Sequence, residues 1–121
     1  MDAYAPKLLD LGLRGMIGKG ARNQEVVDAI VRNKAVYFAA IGGGAAVIAD
    51  SIKSVEVIAY EELGAEAVRR LEVENLPAIV AIDSTGANYY DIGRQAYLAE
   101  KAEAAEKAEM AEKAEKAGDQ A

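Results

Sequence analysis

Apolar residues fall in short blocks along the chain, and the spacing within each block predicts a different element. Leu8, Leu9 and Leu13 follow Pro6 and suggest an opening helix, because proline is accommodated in a first helical turn. Met16-Ile17 is a brief apolar strand that leads through Gly18-Lys19-Gly20-Ala21 to Asn23, a residue type that caps helix N-termini. Val26, Val27, Ile30 and Val31 then recur at helical spacing and form one face. Ala35 to Ile41 is apolar without alternation, as expected of a strand covered on both sides, so its flanks are predicted to be helical. Gly42, Gly43 and Gly44 turn the chain into Ala45 to Asp50. Val55 to Tyr60 reads as a strand, Ala65 to Leu71 as a helix begun after Gly64, and Ala78 to Ile82 as a further strand. Asp83-Ser84-Thr85-Gly86-Ala87 reads as a turn into a hairpin partner at Asn88 to Ile92. Strands alternating with helices predict a layered α/β fold with a mostly parallel sheet.

The pattern changes after Tyr97. From Leu98 to Ala121 the chain is almost entirely Ala, Glu and Lys with a period of three, all strong helix formers. Glu103 with Lys107, Glu109 with Lys113 and Glu112 with Lys116 support a helix at i, i+4 spacing. A period of three drifts around a helix of 3.6 residues per turn, so the alanines build no continuous apolar stripe. The expectation is a body over residues 1–97 followed by a solvated, Ala/Glu/Lys-rich helical tail over 98–121, not a coiled coil.

Composition narrows the chemistry. A chain of 121 residues, 52% apolar and 28% charged, has room for one ordinary domain. Its 20 acidic and 14 basic residues give a net charge of -6, and the cations do not cluster, which argues against a nucleic-acid partner. The longest apolar stretch, Ala35 to Ala49, is shorter than the roughly 20 residues a membrane span needs, and no membrane partner is expected. Asp2, Pro6, Lys7 and Asp10 do not form a secretory leader, so a cytoplasmic location is expected. The sequence holds neither Cys nor His, which removes disulfides, thiolate and imidazole ligands and the commonest nucleophiles. Any cluster or metal would have to come from another chain.

Two strand-to-helix turns could hold a ligand, Ile17-Gly-Lys-Gly-Ala-Arg22 and Ile41-Gly-Gly-Gly-Ala45. Both lie at carboxyl ends of predicted strands, where open α/β sheets bind ligands. Gly18 and Gly20 would let backbone N–H groups approach an anion, Lys19 adds a charge between them, and Arg22 adds a second cation. The spacing matches neither a P-loop nor a dinucleotide fingerprint. Against the anion site stands the plainer reading that glycines after strands only permit tight turns. Glu72 and Glu74 alternate with Leu71, Val73 and Leu76, the pattern of solvated edge charges rather than of a catalytic pair. Tyr89 and Tyr90 are expected to pack or snorkel at a strand end.

Several segments taken together resemble the β component of class I fumarate hydratases and L-tartrate dehydratases. They are Met16-Ile-Gly-Lys-Gly20, Ala35-Val-Tyr-Phe-Ala-Ala-Ile-Gly-Gly43 with Ala45-Ala46, Ser51-Ile-Lys53, Glu61-Glu-Leu-Gly64 with Glu66-Ala67, and Leu71-Glu-Val-Glu74 with Pro77. The resemblance covers roughly Met1 to Ile92. It implies a swivelling β/β/α domain that closes over a dicarboxylate bound to a four-iron four-sulfur cluster, the cluster being carried by a partner α subunit. Lys19 matches the lysine implied to bind a substrate carboxylate, within Lys19-Gly20-Ala21-Arg22-Asn23, where Ala21 and Asn23 depart from the family's usual residues. No catalytic residue is assigned to this chain. Met1-Asp2 resemble the end of a Thr-Thr-x-Gly-Arg-Met-Asp stretch, so the expectation is the C-terminal portion of a β component, inactive alone. The competing readings are a non-catalytic interaction module, assembling with an α partner or with itself, and a small nucleotide-binding α/β domain.

Overall fold

The computed structural model describes residues 1–40 and 44–119. Helix α1 (Ala5–Asp10) has Pro6 in its first turn and buries Ala5 and Leu9. Strand β1 (Gly15–Gly18) leads to helix α2 (Gln24–Asn33), whose N-cap Asn23 accepts a hydrogen bond from the Val26 amide at 3.0 Å. Such a cap contributes about 1 kcal/mol by satisfying an otherwise orphaned amide. The helix ends where Lys34 takes a left-handed conformation, φ 51°, and the chain returns into β2 (Val36–Ala40). Helix α3 (Ala45–Ser51) follows, then β3 (Ile52–Ala59), a 3-10 segment at Glu61–Glu66, β4 (Val68–Val73), β5 (Ala78–Ile82) and helix α4 (Tyr89–Gly118).

The strands form two small sheets, so the architecture is mixed α/β rather than a mostly parallel sheet. One sheet has the order β1-β2-β5, with β1 and β2 parallel and β5 antiparallel to β2. The other is the antiparallel pair β3-β4. The core lies on one face of the first sheet, where Tyr37 and Ile82 meet Val26, Ala29 and Ile30 of α2 and Leu9 of α1, all fully buried. The opposite face of that sheet pairs Ile17 with Phe38 and Phe38 with Val80. Ile17 there is 57% exposed, so helices cover β2 on one side and not on both as its composition suggested.

Two elements differ from the sequence expectation. The helix expected at Ala65–Leu71 is a short 3-10 turn followed by β4, because Val68 and Leu71 pair across the ladder with Ala59 and Val55. Tertiary pairing overrides local helix propensity here, and the β-branched and arginine-rich run fits a pleated surface. The hairpin partner expected at Asn88–Ile92 is the first turn of α4. A single bridge between Ile82 and Asn88 is what remains of the hairpin, and the Asn88 side chain accepts from the Tyr90 amide at 3.1 Å as a helix cap. The preceding turn is held by Asp83, whose Oδ1 accepts from the Thr85 amide, the Thr85 hydroxyl and the Ala87 amide. From there α4 runs 30 residues without a buried side chain, about 45 Å at the α-helical rise.

Candidate functional site

Gly18 closes β1, Lys19 and Gly20 bend the chain, and Asn23 starts α2, so the turn stands at the carboxyl end of a strand and ahead of a helix. Gly20 sits at φ 83°, a left-handed conformation that any side chain would strain. The two cations of the turn part company. Lys19 is exposed and makes no ion pair among the described residues. Arg22 points inward, with its side chain only 14% exposed.

Arg22 lies between an acid and an aromatic ring. Its Nη1 donates to Asp2 Oδ1 at 2.9 Å and its Nη2 to the Tyr37 hydroxyl at 3.3 Å, while the guanidinium carbon stands 4.7 Å from the Tyr37 ring centroid. The Tyr37 hydroxyl donates in turn to the Gly20 carbonyl oxygen at 3.0 Å. The second oxygen of Asp2 accepts from the Asn23 amide at 2.9 Å. Asp2 therefore occupies the anion position at the start of α2, where the helix dipole favours negative charge. The Asn23 amide above all, then the Arg22 guanidinium, hold the Asp2 carboxyl below the usual aspartate range. Burial pushes the Tyr37 hydroxyl up, against the pull of Arg22. Arg22 Nε is buried without a partner, a cost the two charge-assisted bonds must offset.

This network shapes the turn that carries Lys19. A Cβ on Gly18 would lie 2.6 Å from Arg22 Nη2 and 3.2 Å from the Tyr37 hydroxyl, so a larger residue there would push the end of the Arg22 side chain from its present place beside Tyr37. Chemically, the arrangement offers one solvent-facing ammonium on a turn tied to the core through Gly20 and Arg22. Of the four residues singled out in sequence, Gly18, Lys19 and Gly20 form that turn, and Arg22 faces the interior. Sequence reasoning did not place Asp2 or Tyr37 in the site. Tyr37 carried a usable signal, since a phenol inside an apolar strand needs a hydrogen-bond partner. Asp2 carried none, because its partners lie 20 and 21 residues away.

Elsewhere, Ile41, Gly42 and Gly43 of the second glycine turn lie outside the described residues, and Gly44 is the N-cap of the seven-residue α3. Glu72 is solvated on β4, where it accepts from Ser54 Oγ at 3.1 Å. Tyr90 packs against the core, and with Tyr89, Ala39, Ile79, Val80 and Ala81 it lines an open, apolar cleft of about 520 Å³. Among the described residues no group of acids could hold a metal ion, and no helix is long and apolar enough to cross a membrane.

The model of the family described as Fumarase C-terminus matches residues 1–93. The aerobic class I fumarate hydratase of Escherichia coli (strain K12) is 42% identical over 92 residues, 74% of this chain and 17% of that protein. Fumarate hydratase 2 of Leishmania major is 44% identical over 75 residues, 61% of this chain and 13% of that protein. The putative L(+)-tartrate dehydratase subunit beta of Methanocaldococcus jannaschii is 39% identical over 89 residues, 70% of this chain and 46% of that protein. The chain thus spans about 17% of the length of the E. coli enzyme and under half of the archaeal subunit.

Proposed function

We propose, from the premise that the chain belongs to the Fumarase C-terminus family, that it serves a hydro-lyase by binding one carboxylate of a C4 dicarboxylate at the Gly18-Lys19-Gly20 turn. The relatives are fumarate hydratases and a tartrate dehydratase subunit, proteins named for adding or removing water. The observation that carries the reading is the division between the two cations of the turn. Arg22 is neutralised by Asp2 and turned to Tyr37, whereas the Lys19 ammonium faces solvent. An exposed ammonium flanked by glycine amides pairs with a carboxylate by charge and by charge-assisted hydrogen bonds. Gly18 and Gly20 contribute close backbone approach, and Arg22 acts as a positioning residue through Gly20 and Tyr37.

The donor set of the chain does not fit an iron–sulfur cluster, because the sequence has neither Cys nor His. The cluster is assigned to an α subunit, against which this chain would close as the swivelling β/β/α portion of a soluble, cytoplasmic complex. What this chain's residues do is bind and orient: Lys19 fixes one end of the substrate, and the Asp2–Arg22–Tyr37 network fixes Lys19.

The test is substrate use in a complex reconstituted with an α subunit and the remaining β segment. Lys19→Ala should weaken kcat/KM by about 1.5–3 kcal/mol, the range for hydrogen bonds to charged groups. Lys19→Arg should rescue poorly, since a planar fork does not reproduce a compact ammonium between two glycines. Lys34→Ala, at the far end of α2, should be nearly silent. Equal behaviour of Lys19→Ala and Lys34→Ala would reduce the turn to a structural one.

A further inference from the structure

The turn after β1 carries a backbone donor whose direction is fixed from inside the core. Tyr37 is fully buried, and its hydroxyl donates to the Gly20 carbonyl oxygen at 3.0 Å, which turns that carbonyl inward. A trans peptide is planar with its C=O and N–H pointing in opposite directions, and none of the described peptide bonds is cis. The Ala21 N–H shares its peptide with the Gly20 carbonyl and therefore points away from Tyr37. Ala21 is exposed, and its amide donates to no backbone acceptor among the described residues. Lys19, on the other side of Gly20, is exposed as well.

The neighbouring amide shows how this stretch treats a carboxylate. One oxygen of Asp2 accepts from the Arg22 guanidinium at 2.9 Å and the other from the Asn23 amide at 2.9 Å, so a cation and a backbone N–H divide the two oxygens of one acid. Earlier in the same turn the Lys19 ammonium and the Ala21 N–H are the same two kinds of group, without an acid between them. Charge-assisted bonds to a carboxylate are about twice as strong as neutral ones. A donor already held in direction also spares the ordering cost of binding. Arg22 Nη2 donates to the Tyr37 hydroxyl at 3.3 Å, which leaves the single phenolic proton for Gly20 and keeps the peptide turned.

We propose that the Lys19 ammonium and the Ala21 backbone N–H hold the two oxygens of one substrate carboxylate, and that Tyr37 is the positioning residue that aims the N–H. The inference rests on the reading of Lys19 as a carboxylate ligand and adds a donor that no side-chain substitution removes. Tyr37 touches no substrate and acts only through the Gly20 carbonyl.

The experiment uses the complex reconstituted with an α subunit and the remaining β segment, with fumarate as substrate. Lactic acid placed at position 21 by nonsense suppression makes the Gly20–Ala21 link an ester, which deletes the N–H and keeps the methyl group and the carbonyl. The ester chain should lose about tenfold or more in kcat/KM, the lower end for a hydrogen bond to a charged group. Tyr37→Phe should cost a similar factor in the parent chain and at most about twofold in the ester chain, because an absent donor cannot be aimed. A purely structural role for the hydroxyl would give the same loss in both. Unchanged exchange protection of the α2 amides shows that the packed half is folded, and if Tyr37→Phe loosens it the ester chain decides alone. An ester chain as active as the parent would overturn the proposal, as would equal losses from Tyr37→Phe in the two chains. Lys19→Ala separates the readings: a costly Lys19→Ala with a silent ester removes the Ala21 donor alone, while a silent Lys19→Ala removes the shared carboxylate site and both readings with it.

Discussion

The packed half of the molecule and the β3-β4 hairpin are built from the same kinds of residue and reach opposite states. In the first, Val26, Ile30, Tyr37 and Ile82 are fully buried between α2 and a three-stranded sheet. In the second, Val55, Val57, Leu71 and Val73 alternate as regularly and stay open to solvent. Burial depends on a facing layer rather than on hydrophobicity alone. α2 supplies that layer to β1, β2 and β5, and among the described residues nothing supplies it to β3 and β4. The candidate site lies on the packed side, where a turn can be held to the precision a carboxylate contact needs.

The widest separation between the two regions should appear on truncating an apolar side chain in each. Ile30→Ala should cost about 2–5 kcal/mol in urea unfolding, because it empties a closed core. Leu71→Ala in the isolated chain should stay within about 0.5 kcal/mol, as at other exposed positions. Similar losses at the two positions would mean that the hairpin is covered in solution.

Ionic contacts sharpen the comparison at a smaller scale. Asp2 is held below the ordinary aspartate value of 3.8 by Asn23 and Arg22, and Asp10 by Asn33 and Arg32. A carboxyl lowered on folding contributes stability that is complete above its unfolded value and is lost as pH falls through the folded one. Stability should therefore decline on acidification below the ordinary aspartate range. Asp2→Asn should be less stable than the parent at neutral pH and converge with it at the acid end, read as urea midpoints against pH. In the hairpin, Glu56→Gln removes an exposed ion pair and should change stability at neutral pH by at most about 1 kcal/mol. A parallel pH curve for Asp2→Asn would remove Asp2 from the network that holds the turn.

The smallest effect is expected from the tail. Residues 99–118 of α4 are exposed on every side, and the Lys116–Glu112 pair is a surface contact. Deleting residues 99–121 should leave the melting temperature of the packed half nearly unchanged, because little apolar area is lost. A fall of several degrees, or a change in mass on a sizing column, would show that the tail docks on one of the open faces.

Local patterns in the chain determined the elements whose signals are self-contained. Asn23 with Val26, Val27 and Ile30 specifies a capped amphipathic helix, Ala78 to Ile82 a strand, and the Ala-Glu-Lys period a helix without an apolar side. The position of Gly18-Lys19-Gly20 between β1 and α2 was legible for the same reason, since strand, glycine turn and cap are contiguous. Pairing and coverage were decided by the tertiary structure. Val68 to Val73 is a strand because β3 lies beside it, and Asn88 caps a helix after a single bridge where a hairpin could have continued. Arg22 faces inward because Asp2, 20 residues earlier, and Tyr37, 15 residues later, meet at its guanidinium. Hydrophobic spacing records which side of an element seeks a partner, while the partner's identity is a long-range free energy that no local window contains.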